Sequence, residues 1–139
     1  MDARVKLIDG MHFEASASSG HTVALDSSEA VGGRNLGFRP TELIAMGTAG
    51  CTSMDVISIL RKKKVDLRDF EVRVHVESNT DGHPKVFTSM HFEYVVTGKD
   101  IVRADVERAV ELSETKYCQG IAMMRKTAEI SSEITIIEV

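Results

Sequence analysis

Twelve consecutive residues, Leu43 to Met54, carry no charge, and they sit inside a segment whose pattern predicts a helix from about Thr41 to Lys63. Pro40 or Thr41 opens it, and Arg61 to Lys64 close it where positive charge complements the carbonyl end of the dipole. A surface helix shows a polar stripe. This one has none over three turns, so it is expected to be enclosed by other elements, in its own subunit or a partner's. A membrane span fits poorly, because Thr48, Thr52, Ser53, Asp55 and Ser58 interrupt a stretch close to the minimum crossing length.

The rest of the chain must supply that enclosure, and its patterning is mostly β. Arg4 to Ile8, Met11 to Ala17 and His21 to Leu25 read as a meander, with Asp9-Gly10 and Ser18-Ser19-Gly20 as turns. Phe70, Val72, Val74 and Val76 alternate with polar residues, and Val86, Met90, Phe92 and Tyr94 share a parity with Thr88, so a hairpin is expected through Asp81-Gly82. Val102, Val106, Ala109, Val110, Ser113 and Tyr117 fall at helical spacing with Asp100 as the cap, which puts Cys118 at the helix's C-terminal end. A short helix over Gln119 to Arg125 and a strand from Glu129 to Glu138 complete an α+β chain, 1–139, read as one domain.

With 42% apolar and 27% charged residues and a net charge of -4, the chain has no electrostatic reason to bind nucleic acid. Its early acid and lack of an apolar leader point to the cytoplasm, where a structural disulfide is not expected. The two cysteines, Cys51 in the uncharged helix and Cys118, are therefore either small buried hydrophobes or a working thiol pair. His12, His21, His75, His83 and His91 show no His-x-x-x-His spacing and no Cys-x-x-Cys is present, so neither a metal nor a cofactor is expected.

The run Gly37-Phe38-Arg39-Pro40-Thr41-Glu42-Leu43 through Gly50-Cys51-Thr52-Ser53-Met54-Asp55-Val56, with Tyr117-Cys118 much later, resembles the OsmC/Ohr family of small peroxide-reducing proteins, in its OsmC-like branch. The resemblance covers essentially the whole chain. It implies an intertwined homodimer in which antiparallel sheets wrap a long central buried helix, in the order meander, helix, hairpin, helix, strand. It also implies that Cys51 reduces an organic hydroperoxide and becomes a sulfenic acid, that Cys118 resolves this to a disulfide, and that a dithiol reductant of the lipoyl type resets the pair.

A peroxidatic thiol must ionise, and apolar surroundings oppose that, so a cation is needed nearby. In the family an arginine serves, braced by a glutamate directly after the proline. Here Thr41 holds that place and Glu42 follows it, about 13.5 Å of helical rise and half a turn from Cys51. No arginine lies near Ser18 to His21, which leaves Arg39 and Arg34 as the candidate cations. The other reading is a non-enzymatic OsmC-like dimer that binds a small apolar ligand or a thiol compound at its interface, with inert cysteines.

Overall fold

A computed structural model describes all 139 residues, which form two compact units, Met1–Ile44 and Ala45–Val139. In the first unit, β1 (Ala3–Asp9), β2 (His12–Ala17) and β3 (Thr22–Leu25) form an antiparallel meander in that order. Beyond β3 the chain makes a short 3-10 turn, Glu29–Val31, and returns so that Phe38 N–H donates to the Ala24 carbonyl at 2.9 Å. Gly37 makes the return possible, since a Cβ there would stand 2.4 Å from the Ala24 oxygen. Asp26, only 3% exposed, organises this loop by accepting N–H groups from Ser27, Arg34 and Leu36 at 2.8, 3.2 and 3.1 Å.

Helix α1 runs Pro40–Lys62. Pro40 occupies the first helical position, where its missing N–H costs nothing, and Glu42 reaches back to the Arg39 N–H at 2.8 Å as in a capping box.

The second unit holds a long hairpin, β4 (Asp66–Ser78) and β5 (Phe87–Lys99), followed by α2 (Arg103–Leu112), a π-helical turn over Ser113–Tyr117, α3 (Gln119–Met124) and β6 (Glu129–Glu138). β4 and β5 pair antiparallel, with His75 opposite His91. β6 pairs parallel to β5, which makes this sheet mixed rather than antiparallel throughout. The reason is topological: α2 and α3 form a crossover long enough to bring the chain back in the same direction. Met90, Phe92, Tyr94 and Val96 on central β5 pack into one core with Val56 and Leu60 of α1, Val106, Ala109 and Val110 of α2, and Ile121 of α3.

Two local expectations need correction. Asp100 does not cap α2; it adopts φ 53°, its N–H bonds the Glu138 carboxylate, and Val102 takes the cap position. The helical spacing that ran to Tyr117 ends in the π turn, where Tyr117 is exposed, and Val102 at the cap is exposed as well. Within one chain, α1 buries Thr48, Ala49, Thr52, Val56 and Leu60, while Ile44, Met46 and Met54 stay exposed, so its own subunit encloses one face of the helix and leaves the other uncovered. Its length and mean hydropathy of 1.5 would satisfy a bilayer, but its buried face already belongs to the core of the second unit.

Candidate functional site

Cys51 and Asp55 lie one turn apart on the same face of α1, and the crossover brings Cys118 to them: the two sulfurs and a carboxylate oxygen all lie within 4.8 Å of one another. Both cysteines are free thiols. Cys51 is partly exposed, whereas Cys118 is only 3% exposed. The thiol pair named from the sequence is thus brought together in space. Asp55 was missed, although its spacing of four residues from Cys51 was a legible signal.

Cys118 owes its position to a break in the helix. The π turn ends where the Cys118 N–H bonds the Ser113 carbonyl at 2.8 Å, and Cys118 then becomes the N-cap of α3, its sulfur accepting the Ile121 N–H at 3.3 Å. Burial pushes the Cys118 thiol up to about 12 against the pull of that N–H, and the Cys51 thiol and Asp55 carboxylate beside it add to the rise. A buried thiol with a carboxylate neighbour is a poor first nucleophile.

Behind the thiols runs a buried polar row. Ser113 Oγ donates to Asp55 Oδ2 at 3.0 Å, Thr52 Oγ1 lies 2.8 Å from both Ser113 Oγ and Tyr94 OH, and Tyr94 OH donates to Glu114 Oε1 at 3.0 Å. Burial holds the Tyr94 phenol well above its ordinary range, and the Thr52 hydroxyl only partly offsets this. These four contacts share the protons of three hydroxyls, so with both carboxylates charged one contact has no proton between its oxygens. Sequence reasoning did not find this row, since its members come from α1, β5 and the π turn.

α3 crosses α1 tightly here. A Cβ on Gly120 would stand 3.1 Å from the Thr48 Cα and 3.5 Å from the Cys51 Cβ, so glycine is what lets the two cysteine-bearing segments approach.

The remaining candidates belong to the first unit. Arg34 forms an exposed ion pair with Asp9 at 3.3 Å. The Arg39 guanidinium bonds Asn35 Oδ1 at 2.9 Å and the Gly37 carbonyl at 3.1 Å. Glu42 accepts the Arg39 backbone N–H, so it caps the helix rather than bracing a guanidinium. Arg39 and Glu42 line a shallow recess of about 580 Å³. A second recess of about 280 Å³, lined by Val5, Met11, Phe13, Leu25 and Pro40, is mainly apolar.

A two-unit α+β chain with a meander, a cysteine-bearing helix, a hairpin and a crossover that returns a second cysteine defines the OsmC-like class of folds. The model of the OsmC-like protein family matches residues 32–133, and the chain belongs to that family. It is 34% identical to the protein YhfA of Escherichia coli K12 over 137 residues, 99% of this chain and 98% of that protein. A crystal structure of a hypothetical protein from Aquifex aeolicus shares 26% identity and a TM-score of 0.80, covering 99% of this chain and 97% of the other. The fold of the organic hydroperoxide resistance protein OhrB of Bacillus subtilis is also similar, at 20% identity and a TM-score of 0.63, covering 97% and 98% of the two chains.

Proposed function

We propose that this protein is a thiol-dependent peroxidase that reduces organic hydroperoxides, with Cys51 as the attacking sulfur and Cys118 as the resolving one. The observation that carries this reading is the meeting of a partly exposed Cys51 with a buried Cys118 inside 4.8 Å. Accessibility suits the first to meet substrate, and burial suits the second to wait. Cys51 ionises and releases a proton, its thiolate attacks the terminal peroxide oxygen, the S–O bond forms as the O–O bond breaks, and the departing alkoxide takes up a proton in place of the one released, leaving as an alcohol. The Cys51 sulfenic acid then condenses with the Cys118 thiol, forming the S–S bond and releasing water. A dithiol of the lipoyl type, in a cytoplasmic setting, exchanges with the disulfide and restores both thiols. Family relatives named for hydroperoxide resistance support the same chemistry.

The working form is a homodimer. Support comes from α1, whose Met46 and Met54 are 41% and 77% exposed in the single chain. A helix so apolar gains from being covered by a second copy, and covering it would surround Cys51 with apolar surface suited to bulky hydroperoxides. Glu42 fixes the start of α1 through its cap.

Two observations favour a second reading, a non-enzymatic dimer that binds a small apolar ligand or thiol compound. The charged group acting on Cys118 is a carboxylate, the wrong sign for activation, and the first unit offers an apolar recess. The two readings separate when free thiols are counted before and after one equivalent of cumene hydroperoxide. The peroxidase loses two thiols per chain, Cys118→Ser accumulates a sulfenic acid, and Cys51→Ser does not react. A reaction no faster than that of free cysteine rejects the enzyme.

A further inference from the structure

We infer that Cys51, Asp55 and Cys118 form a binding site for a divalent metal ion of borderline softness, zinc above all, with water as the fourth ligand. Two sulfurs and one carboxylate oxygen converge within 4.8 Å. Tetrahedral coordination at a Zn–S distance of about 2.3 Å and a Zn–O distance of about 2.0 Å sets the ligand atoms about 3.5–3.8 Å apart, so closing the site needs a contraction of about 1.3 Å or less. Cys51 and Asp55 sit on successive turns of a rigid helix and keep their spacing. Cys118, at the junction of the π turn and α3, supplies the adjustable side.

The surroundings match those of a metal ligand set. Ser113 Oγ donates to one Asp55 oxygen, which orients the carboxylate and leaves its other oxygen for the ion. The Ile121 N–H already points at the Cys118 sulfur, as backbone amides do toward coordinated thiolates. Both donors are neutral, so nothing in these contacts offsets the charge that two thiolates and a carboxylate would build up. A cation does. The donor set also selects among cations: two thiolates are wrong for magnesium and calcium, which take oxygen ligands, and right for zinc or cobalt. In the single chain Cys51 and Asp55 are partly exposed, which gives the ion and its water a route in before a second copy covers α1.

Binding replaces the proton of each thiol with a metal–sulfur bond and releases both protons to solvent. The occupied site cannot hold a disulfide, so metal and peroxide compete for the same two sulfurs. The inference stands on geometry and charge alone and does not need the peroxidase reading.

The test is titration of the fully reduced full-length chain with cobalt(II), read by thiolate-to-cobalt absorption in the near ultraviolet, followed by displacement with zinc. The expected result is one ion per chain, a charge-transfer band that falls by about half in Cys51→Ser and in Cys118→Ser, and affinity lowered at least about tenfold in each of these and in Asp55→Ala. Circular dichroism confirms that each variant is folded before it is scored. Absence of the band in the wild type, or a band and affinity unchanged in Cys118→Ser or Asp55→Ala, overturns the site.

Discussion

Gly120 approaches Thr48 so closely that a methyl group on it would lie 3.1 Å from the Thr48 Cα, at the point where α3 crosses α1 beside Cys51. Because the obstacle is backbone, it cannot swing aside. Gly120→Ala gains up to about 1 kcal/mol of helix propensity but meets an overpacking cost of about 1–3 kcal/mol. The expected outcome is a net loss of about 1 kcal/mol in urea unfolding and slower closure of the Cys51–Cys118 disulfide by diamide. Unchanged closure would show that the crossing does not control the distance between the sulfurs.

Thr52 is fully buried with two oxygen contacts, which normally makes substitution costly. The proton shortage in its row changes that. In Thr52→Val, Ser113 still donates to Asp55 and Tyr94 still donates to Glu114, so each remaining contact has its own proton. We expect a cost below about 1 kcal/mol, against the roughly 1–3 kcal/mol usual for stranding a buried hydrogen-bonding partner. A larger loss in denaturant titration would mean that the row carries a further proton.

Burial of Asp26 opposes its charge, but the N–H groups of Leu36, Ser27 and Arg34 outweigh it and hold the carboxyl below its ordinary range. The folded value is therefore lower than the unfolded one, near 4. The stabilisation is present above about pH 4 and is lost as pH falls through the folded value. Asp26→Asn should be less stable than wild type at neutral pH, with the gap narrowing in acid, as read by thermal melts across that range. A gap independent of pH would contradict the linkage.

Met54, the last residue of the uncharged run, stands 77% exposed. If a second copy covers α1, Met54→Glu places a charge in that interface and should shift the chain to monomer in sedimentation velocity. A wild-type chain that sediments as a monomer at tens of micromolar sinks the dimer.

Much of this architecture was legible from the residues, because it depends on local periodicity. The alternation of Phe70, Val72, Val74 and Val76 marks β4, and Pro40 with Glu42 marks the start of α1. The parity of Ile130, Ile134 and Ile136 against Ile137 marks the face of β6 turned to the core, and Ile137 is indeed exposed. Asp100 misled because its type suits a cap, whereas the chain uses it at a positive φ. The exposed face of α1 shows the limit of such a signal, since hydropathy tells that a helix is to be covered but not by which chain.

What the sequence by itself determined was which segments are helix or strand, which face of each is apolar, and that Cys51 shares a helix face with Asp55, since all of these are set by spacing along the backbone. Only the tertiary structure decided that Cys118 joins them. That outcome rests on a parallel β6, a crossover of set length, a π turn at Ser113–Tyr117 and a glycine at the helix crossing. Contacts between residues far apart in the chain arise from packing the whole core at once, and no local pattern encodes them.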